Sequence, residues 1–178
     1  QGQTTYGPGR VGQCFVFDGS GDGVMVGGAA NFQLQDFTLE AWIKRASASQ
    51  VSADGCGNGM IICRGGTGYG LGLDPTGRPF LTKVDVSNVT GPTLVADTAW
   101  HHLAVTKSGA TVTFYVDGVA SPPVNYPDTF EFPNGLAIGA RGDNLVCCFQ
   151  GAIDEASIYN RPLAAAEIQA LFTASVSG

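Results

Sequence analysis

The chain has 178 residues, 44% of them apolar and 13% charged, enough for one core of ordinary domain size and cramped for two. Its net charge of -6 excludes the basic stripe on which sequence-independent nucleic-acid binding depends; the same acidity suits a divalent cation or plain solubility. No apolar run reaches membrane-spanning length, and residues 1–13, QGQTTYGPGRVGQ, lack the charged and apolar regions of a secretory leader, so the sequence reads as a soluble module, mature or excised from something longer. Low charge with 26 glycines and 9 prolines is common in secreted β-rich proteins.

From the N-terminus, CFVF (14–17), GVMV (23–26) and FTLEAWIKR (37–45) begin a series of short alternating runs between turn signals. In the third, Phe37, Leu39, Ala41 and Ile43 share one face and Thr38, Glu40, Trp42 and Lys44 the other; Trp42 either caps the core or lines a groove. The Ser/Gly-rich stretch 46–59 is a binding loop or a surface excursion. MIIC (60–63), YGLGL (69–73) and PFLTKV (79–84) continue the series. WHHLAVTKSGATVTFYVDG (100–118) reads as a complete β-hairpin with its turn at Lys107-Ser108-Gly109. Its second strand puts Val112, Phe114 and Val116 on one face and Thr111, Thr113 and Tyr115 on the other. LAIGA (136–140) and AIDEASIY (152–159) complete about ten strands with no intervening helical pattern, which predicts an all-β fold in two layers. The single helix candidate, LAAAEIQALF (163–172), follows Arg161-Pro162; the tail 173–178 reads as a linker, and 1–178 as one domain.

Five cysteines cannot all pair within one molecule. Cys56 and Cys63 flank a Gly-rich turn and are expected to close a short loop in an oxidising compartment; Cys14 is expected to pair with Cys147 or Cys148, since a bond between those neighbours would be strained. Zinc is disfavoured, because there is no C-x-x-C and the only histidines, His101 and His102, sit in mid-strand.

Four blocks, VGQCFVFDGSGDGVMV, FTLEAWIKR, WHHLAVTKSGATVTFYVDG and GAIDEASIYNRPLAAAEIQAL, resemble in order the blocks of a laminin-G-like domain of the concanavalin A-like lectin/glucanase superfamily. The resemblance spans residues 11–171. It implies a two-sheet antiparallel jelly-roll sandwich, the strand at 15–18 running beside that at 152–158, and one short C-terminal helix. It also implies a non-catalytic recognition module of the kind attached to extracellular enzymes or adhesins, and it leaves the ligand open.

Asp18 and Asp22 lie in a Gly-rich turn, and Asp154 in the strand expected beside it. Carboxylates with turn carbonyls suit Ca²⁺, whereas the plainer reading makes these acids turn formers and amide acceptors. Domains that this chain resembles often carry a structural calcium, which favours Asp18 and Asp154 as ligands. The two alternating acids of a glycosidase are missing: Asp154 and Glu155 are neighbours, and Glu40 and Glu131 have no partner at i+2. No serine sits in a nucleophile elbow near either histidine. Arg141-Gly142-Asp143 matches the tripeptide of integrin ligands, although its two charges can equally pair with each other, and Asn88-Val89-Thr90 is a glycosylation acceptor on a eukaryotic secretory route. The expected function is an extracellular or cell-surface module that binds carbohydrate through Tyr69, Asn88, Tyr126, Asp143 and Asn144. The alternative is a protein-interaction or structural repeat unit of a large adhesion protein.

Overall fold

The computed structural model describes residues 1–176. The chain runs through β1 (Thr5–Pro8), β2 (Gln13–Asp18), β3 (Val24–Gly27), a 3-10 turn (Ala30–Phe32), β4 (Phe37–Arg45) and β5 (Gly59–Arg64). β6 (Tyr69–Leu73), β7 (Pro79–Lys83), β8 (Ser87–Thr90), β9 (Trp100–Ser108) and β10 (Thr111–Val116) follow. β11 (Val119–Ala120), β12 (Val124–Asn125), β13 (Leu136–Ile138), β14 (Gln150–Tyr159) and α1 (Ala165–Val176) complete it. An eight-stranded sheet has the order β1-β2-β14-β4-β9-β10-β11, with β12 also on β10; a six-stranded sheet has the order β3-β13-β5-β6-β7-β8. The two antiparallel sheets form the expected jelly-roll sandwich, and β14 pairs with β2 as the block order implies, Gln150 opposite Asp18 and Ile153 opposite Phe15.

Period-2 alternation explains the layering. Phe37, Leu39, Ala41 and Ile43 of β4, with Val112, Phe114 and Val116 of β10, point between the sheets and join Tyr69, Leu71, Leu73 and Leu81 of the opposite layer. Each such side chain contributes roughly 1.5–3 kcal/mol by leaving water. The β9–β10 hairpin closes later than the sequence suggests. Ser108 pairs with Thr111, so Gly109-Ala110 is the two-residue turn, and Gly109 supplies the positive φ (54°) that such a turn requires.

The helix starts after Pro162 and is capped by its own sequence. Glu167 accepts from the Ala164 amide at 2.9 Å and forms a two-pronged pair with Arg161. Leu163 and Ile168 pack on Ala104 and Tyr115, covering part of the outer face of the eight-stranded sheet. The helix continues to Val176, so the linker expected over 173–178 is helical as far as 176; residues 177 and 178 lie outside the described residues. β1, β8 and the two-residue strands β11 and β12 are absent from the sequence reading; of these, β1 and β8 are the longer. TYGP holds a glycine and a proline, and SNVT is short and polar; both sit at sheet edges, where such residues are tolerated.

Candidate functional site

The outer face of the six-stranded sheet carries the candidate site. With Tyr69, Leu71, Leu73 and Leu81 turned inward, the alternate residues Gly70, Gly72, Phe80 and Thr82 must face out. Register aligns Cys63, Gly70, Thr82 and Asn88 across four strands, and Met60, Gly72, Phe80 and Thr90 in the neighbouring row. A bulge in β5 between Met60 and Ile62 lets Ile61 and Ile62 both enter the core while Met60 and Cys63 remain on the outer side. Neighbouring side chains lie over these glycines, which are buried. A Cβ at Gly70 would lie 2.6 Å from the Met60 methyl and 2.8 Å from the Cys63 sulfur, and one at Gly72 would lie 2.9 Å from the Phe80 ring, so Met60, Cys63 and Phe80 close over the two positions.

On this face a cavity of about 190 Å³ is floored by Met60, Phe80, Thr82 and Val84. One wall is Asn58 with Cys56 and Cys147; the other is Asp85 with Arg141. Met60, Cys63, Phe80, Val84 and Cys147 form a small apolar cluster of their own, separate from the main core, which gives the cavity a fixed floor. The walls are tied as firmly. Arg141 donates from Nη1 and Nη2 to both oxygens of Asp85 at 2.7 and 2.6 Å, and from Nε and Nη2 to both oxygens of Asp143 at 3.1 and 2.8 Å. These bonds raise the Arg141 pKa above its ordinary value. Burial opposes ionisation of Asp143, but the bonds from Arg141 outweigh it and hold this carboxyl below its usual range. Two carboxylates around one guanidinium leave a net negative rim with fixed acceptor oxygens.

The opposite wall is held by Asp54. Its Oδ1 accepts from the Cys56 amide and its Oδ2 from the Cys148 amide, both at 3.0 Å, which draws the 46–59 loop onto the strand entering β14. Burial works against ionisation of Asp54, yet these bonds and one from Ser52 keep its pKa below the ordinary value. The disulfide formed across this junction is Cys56–Cys147. The expected pairings of Cys56 with Cys63 and of Cys14 with Cys147 or Cys148 are therefore corrected. Cys63 is fully buried with its thiol on the Arg64 carbonyl at 3.1 Å; Cys14 lies on the other sheet, bonded to the Gly7 and Pro8 carbonyls; Cys148 donates to the Leu145 carbonyl at 3.0 Å. All three are free thiols.

Of the five residues expected to bind a ligand, three lie on or beside this face. Asn88 is exposed opposite Thr82, Asp143 is in the rim, and Asn144 caps its own turn by accepting from the Val146 amide at 3.3 Å. Tyr69 and Tyr126 are corrections, because both point into the core. Tyr69 donates to the Phe32 carbonyl at 2.8 Å, and the Tyr126 hydroxyl accepts from the Lys83 amide at 2.7 Å. Arg141 and Asp143 pair with each other, as one sequence alternative has it, and the arginine is too engaged to be displayed as an adhesion motif. Asn58, Phe80, Thr82 and Asp85 were missed. A signal for this face is nevertheless present in YGLGL, whose glycines at alternate positions leave room for the side chains of Met60 and Phe80.

The calcium arrangement does not fit. Asp22 is fully buried and spends one oxygen on the Gln3 amide at 2.6 Å and the other on the Asp18 amide at 2.8 Å. Asp18 accepts from Ser20, and Asp154 accepts from the amides of Val11 and Glu155. Asp154 lies four positions along β14 from the residue that faces Asp18, roughly 13 Å at the usual strand rise. Among the described residues no group of three or more His, Cys, Asp or Glu is gathered for a metal.

Both histidines belong to the other sheet. His102 Nε2 meets Glu40 Oε2 at 2.6 Å beneath Trp42, and the Tyr159 hydroxyl donates to Glu40 Oε1 at 3.0 Å. His101 bridges Asp117 and Asp97 at 2.8 and 3.1 Å. No helix among the described residues is long and apolar enough to cross a membrane.

No curated protein matches the sequence. Among solved structures, domain 4 of AbnA, a GH43 extracellular arabinanase from Geobacillus stearothermophilus in complex with arabinotriose, superposes with a TM-score of 0.73 at 22% identity, over 96% of this chain and 82% of that one. The Ruminococcus gnavus IT-sialidase CBM40 bound to α2,3-sialyllactose gives 0.64 at 12% identity, over 85% of this chain and 96% of that one. The binding domain of botulinum neurotoxin DC in complex with rat synaptotagmin II gives 0.70 at 14% identity, over 98% of this chain and 46% of that one. At such identities these likenesses show the shared fold. The sequence itself goes further: residues 18–169 match a laminin-G family profile, and the chain belongs to that family of the concanavalin A-like lectin/glucanases superfamily.

Proposed function

We propose that this chain is a non-catalytic carbohydrate-binding module of a secreted or cell-surface protein, and that the glycan lies along the outer face of the six-stranded sheet. The observation that carries the reading is the cavity on this face, with its apolar floor and rigid polar rim. A sugar ring offers apolar C–H faces and equatorial hydroxyls. Phe80 and Val84 match the first, and the amides of Asn58 and Asn88, the Thr82 hydroxyl and the Asp85–Arg141–Asp143 cluster match the second. The arabinotriose and sialyllactose held by two of the structural neighbours support the ligand class.

A hydrolytic reading needs a carboxyl that keeps its proton near neutral pH and a second across a cleft. Asp143 is held ionised by Arg141, and Glu40 is buried against His102 on the other sheet. Their roles are acceptor and scaffold. A glycan array screened with wild-type protein and with the Asn58→Ala and Asn88→Ala variants tests the proposal. Binding to a restricted set of glycans, weakened several-fold by each variant with melting temperature unchanged, is the expected result. No retained neutral glycan, or binding of neutral glycans indifferent to both variants, contradicts it.

A further inference from the structure

A second cleft opens on the outer face of the eight-stranded sheet, beside the part covered by α1. It has a volume of about 440 Å³ and is lined by Arg10, Trp42, Trp100, Asp117 and Phe172. Three aromatic rings thus meet in one hollow. Trp42 and Phe172 stack at 5.7 Å, and the Arg10 guanidinium lies 4.8 Å above the Trp42 ring. Within these walls two donors are unused. The Trp42 indole N–H and the Arg10 Nε–H are buried and have no hydrogen-bond partner among the described residues, although Trp42 is only 3% exposed. Leaving a buried donor unmade costs about 1–3 kcal/mol, so such groups call for an acceptor.

Charge narrows the class of acceptor. Arg10 makes no ion pair among the described residues, and neither does Lys44, which is exposed and faces Trp100 across the β4–β9 ladder. The one acid in the lining, Asp117, is already engaged: its Oδ2 meets His101 Nδ1 at 2.8 Å and its Oδ1 accepts from the His102 amide at 2.9 Å. Unspent charge at the cleft is therefore positive, while its walls are flat and apolar. An anion without an apolar face would waste the aromatic walls, and a neutral sugar would leave the guanidinium unmatched.

We propose that this cleft is a second glycan site, selective for a sugar ring that bears a carboxylate, with Arg10 on the carboxylate, Trp42 Nε1–H on an oxygen of the ring and Trp100 against its C–H face. This site is separate from the one on the six-stranded sheet and does not depend on it.

The composition supplies a direct probe. The chain has 2 tryptophans, Trp42 and Trp100, and both line this cleft, so indole emission reports on it and not on the six-stranded sheet. The experiment titrates the protein with a short oligogalacturonate and with its neutral galactose counterpart while recording tryptophan fluorescence. A saturable change is expected with the acidic oligomer, at least tenfold weaker with the neutral one and weakened by salt. Arg10→Gln, which removes the charge and ends in a planar amide on a shorter side chain, should weaken the acidic oligomer roughly tenfold or more with no change in melting temperature. Asn58→Ala and Asn88→Ala should leave the titration unaltered, so failure here is distinct from failure at the other face. The inference is overturned by no saturable change up to millimolar oligogalacturonate, by equal response to both oligomers, or by an Arg10→Gln variant that binds as wild type.

Discussion

The two sheets of this sandwich present opposite treatments of the same problem, an outward face that alternation makes polar. On the eight-stranded sheet α1 lies across part of that face, and the polar residues beneath it have become structure: Glu40, His102 and Tyr159 bond to one another under Trp42. On the six-stranded sheet no helix among the described residues covers the face, Gly70 and Gly72 let Met60 and Phe80 lie flat upon it, and the polar residues are gathered at a rim held by Arg141 and by the Cys56–Cys147 disulfide. A covered face uses its hydrogen bonds for stability. An open one stiffens its border around a cavity with a packed apolar floor, which is what a binding surface needs.

The largest effect that sharpens this contrast belongs to the covered face. Glu40→Ala leaves His102 Nε2 and the Tyr159 hydroxyl without their acceptor and should cost about 3–5 kcal/mol, read as a lower urea midpoint. A loss below 1 kcal/mol would show that the network is solvated. On the open face, Cys56→Ser removes a crosslink with a sequence separation of 91 and should lower stability by about 2–4 kcal/mol. A non-reduced digest should yield the Cys56–Cys147 peptide pair; recovery of Cys56 joined to Cys63 would refute this arrangement.

A smaller effect comes from His101. The hydrogen bond it donates to Asp117, aided by Asp97 and opposed by burial, holds its pKa at about 8, against an ordinary 6.5. The folded state thus binds the proton more tightly than the unfolded chain. The stabilisation is complete below pH 6.5 and is lost as pH rises through 8; solvent exposure of Asp97 limits it to about 1 kcal/mol. Melting temperature should fall across this interval in wild type and stay level in His101→Gln. Smallest of all is the response to calcium. With the oxygens of Asp22 and Asp154 committed to amides, melting curves in chelator and in millimolar calcium should superimpose. A native-state site at 100-fold saturation would instead add about 2.7 kcal/mol.

The layers were legible because alternation is a property of the sequence: FTLEAWIKR and TVTFYV name their inner faces without help. Block order placed β2 beside β14. The site was harder to read. Tyr69 and Tyr126 look like sugar platforms because their rings are aromatic and their hydroxyls polar, yet each hydroxyl meets backbone at the edge of the core, at the Phe32 carbonyl and the Lys83 amide, which only tertiary contact reveals. Phe80 and Leu81 are both apolar neighbours in PFLTK, so the strand does not declare which of them faces out. Cys56 chose Cys147 over the nearer Cys63 because Asp54 ties the two loops together from across 94 residues, a link invisible in local spacing.

The central claim is that glycan binds on the open face, and the most direct test is an ¹⁵N NMR titration with a neutral glycan retained from the array. Amide shifts should concentrate on Asn58, Thr82, Val84, Asp85 and Asn88 and titrate with one dissociation constant. Shifts confined to the α1 side of the molecule or to the 46–59 loop, with the Thr82, Val84 and Asp85 amides unmoved at saturation, would contradict it.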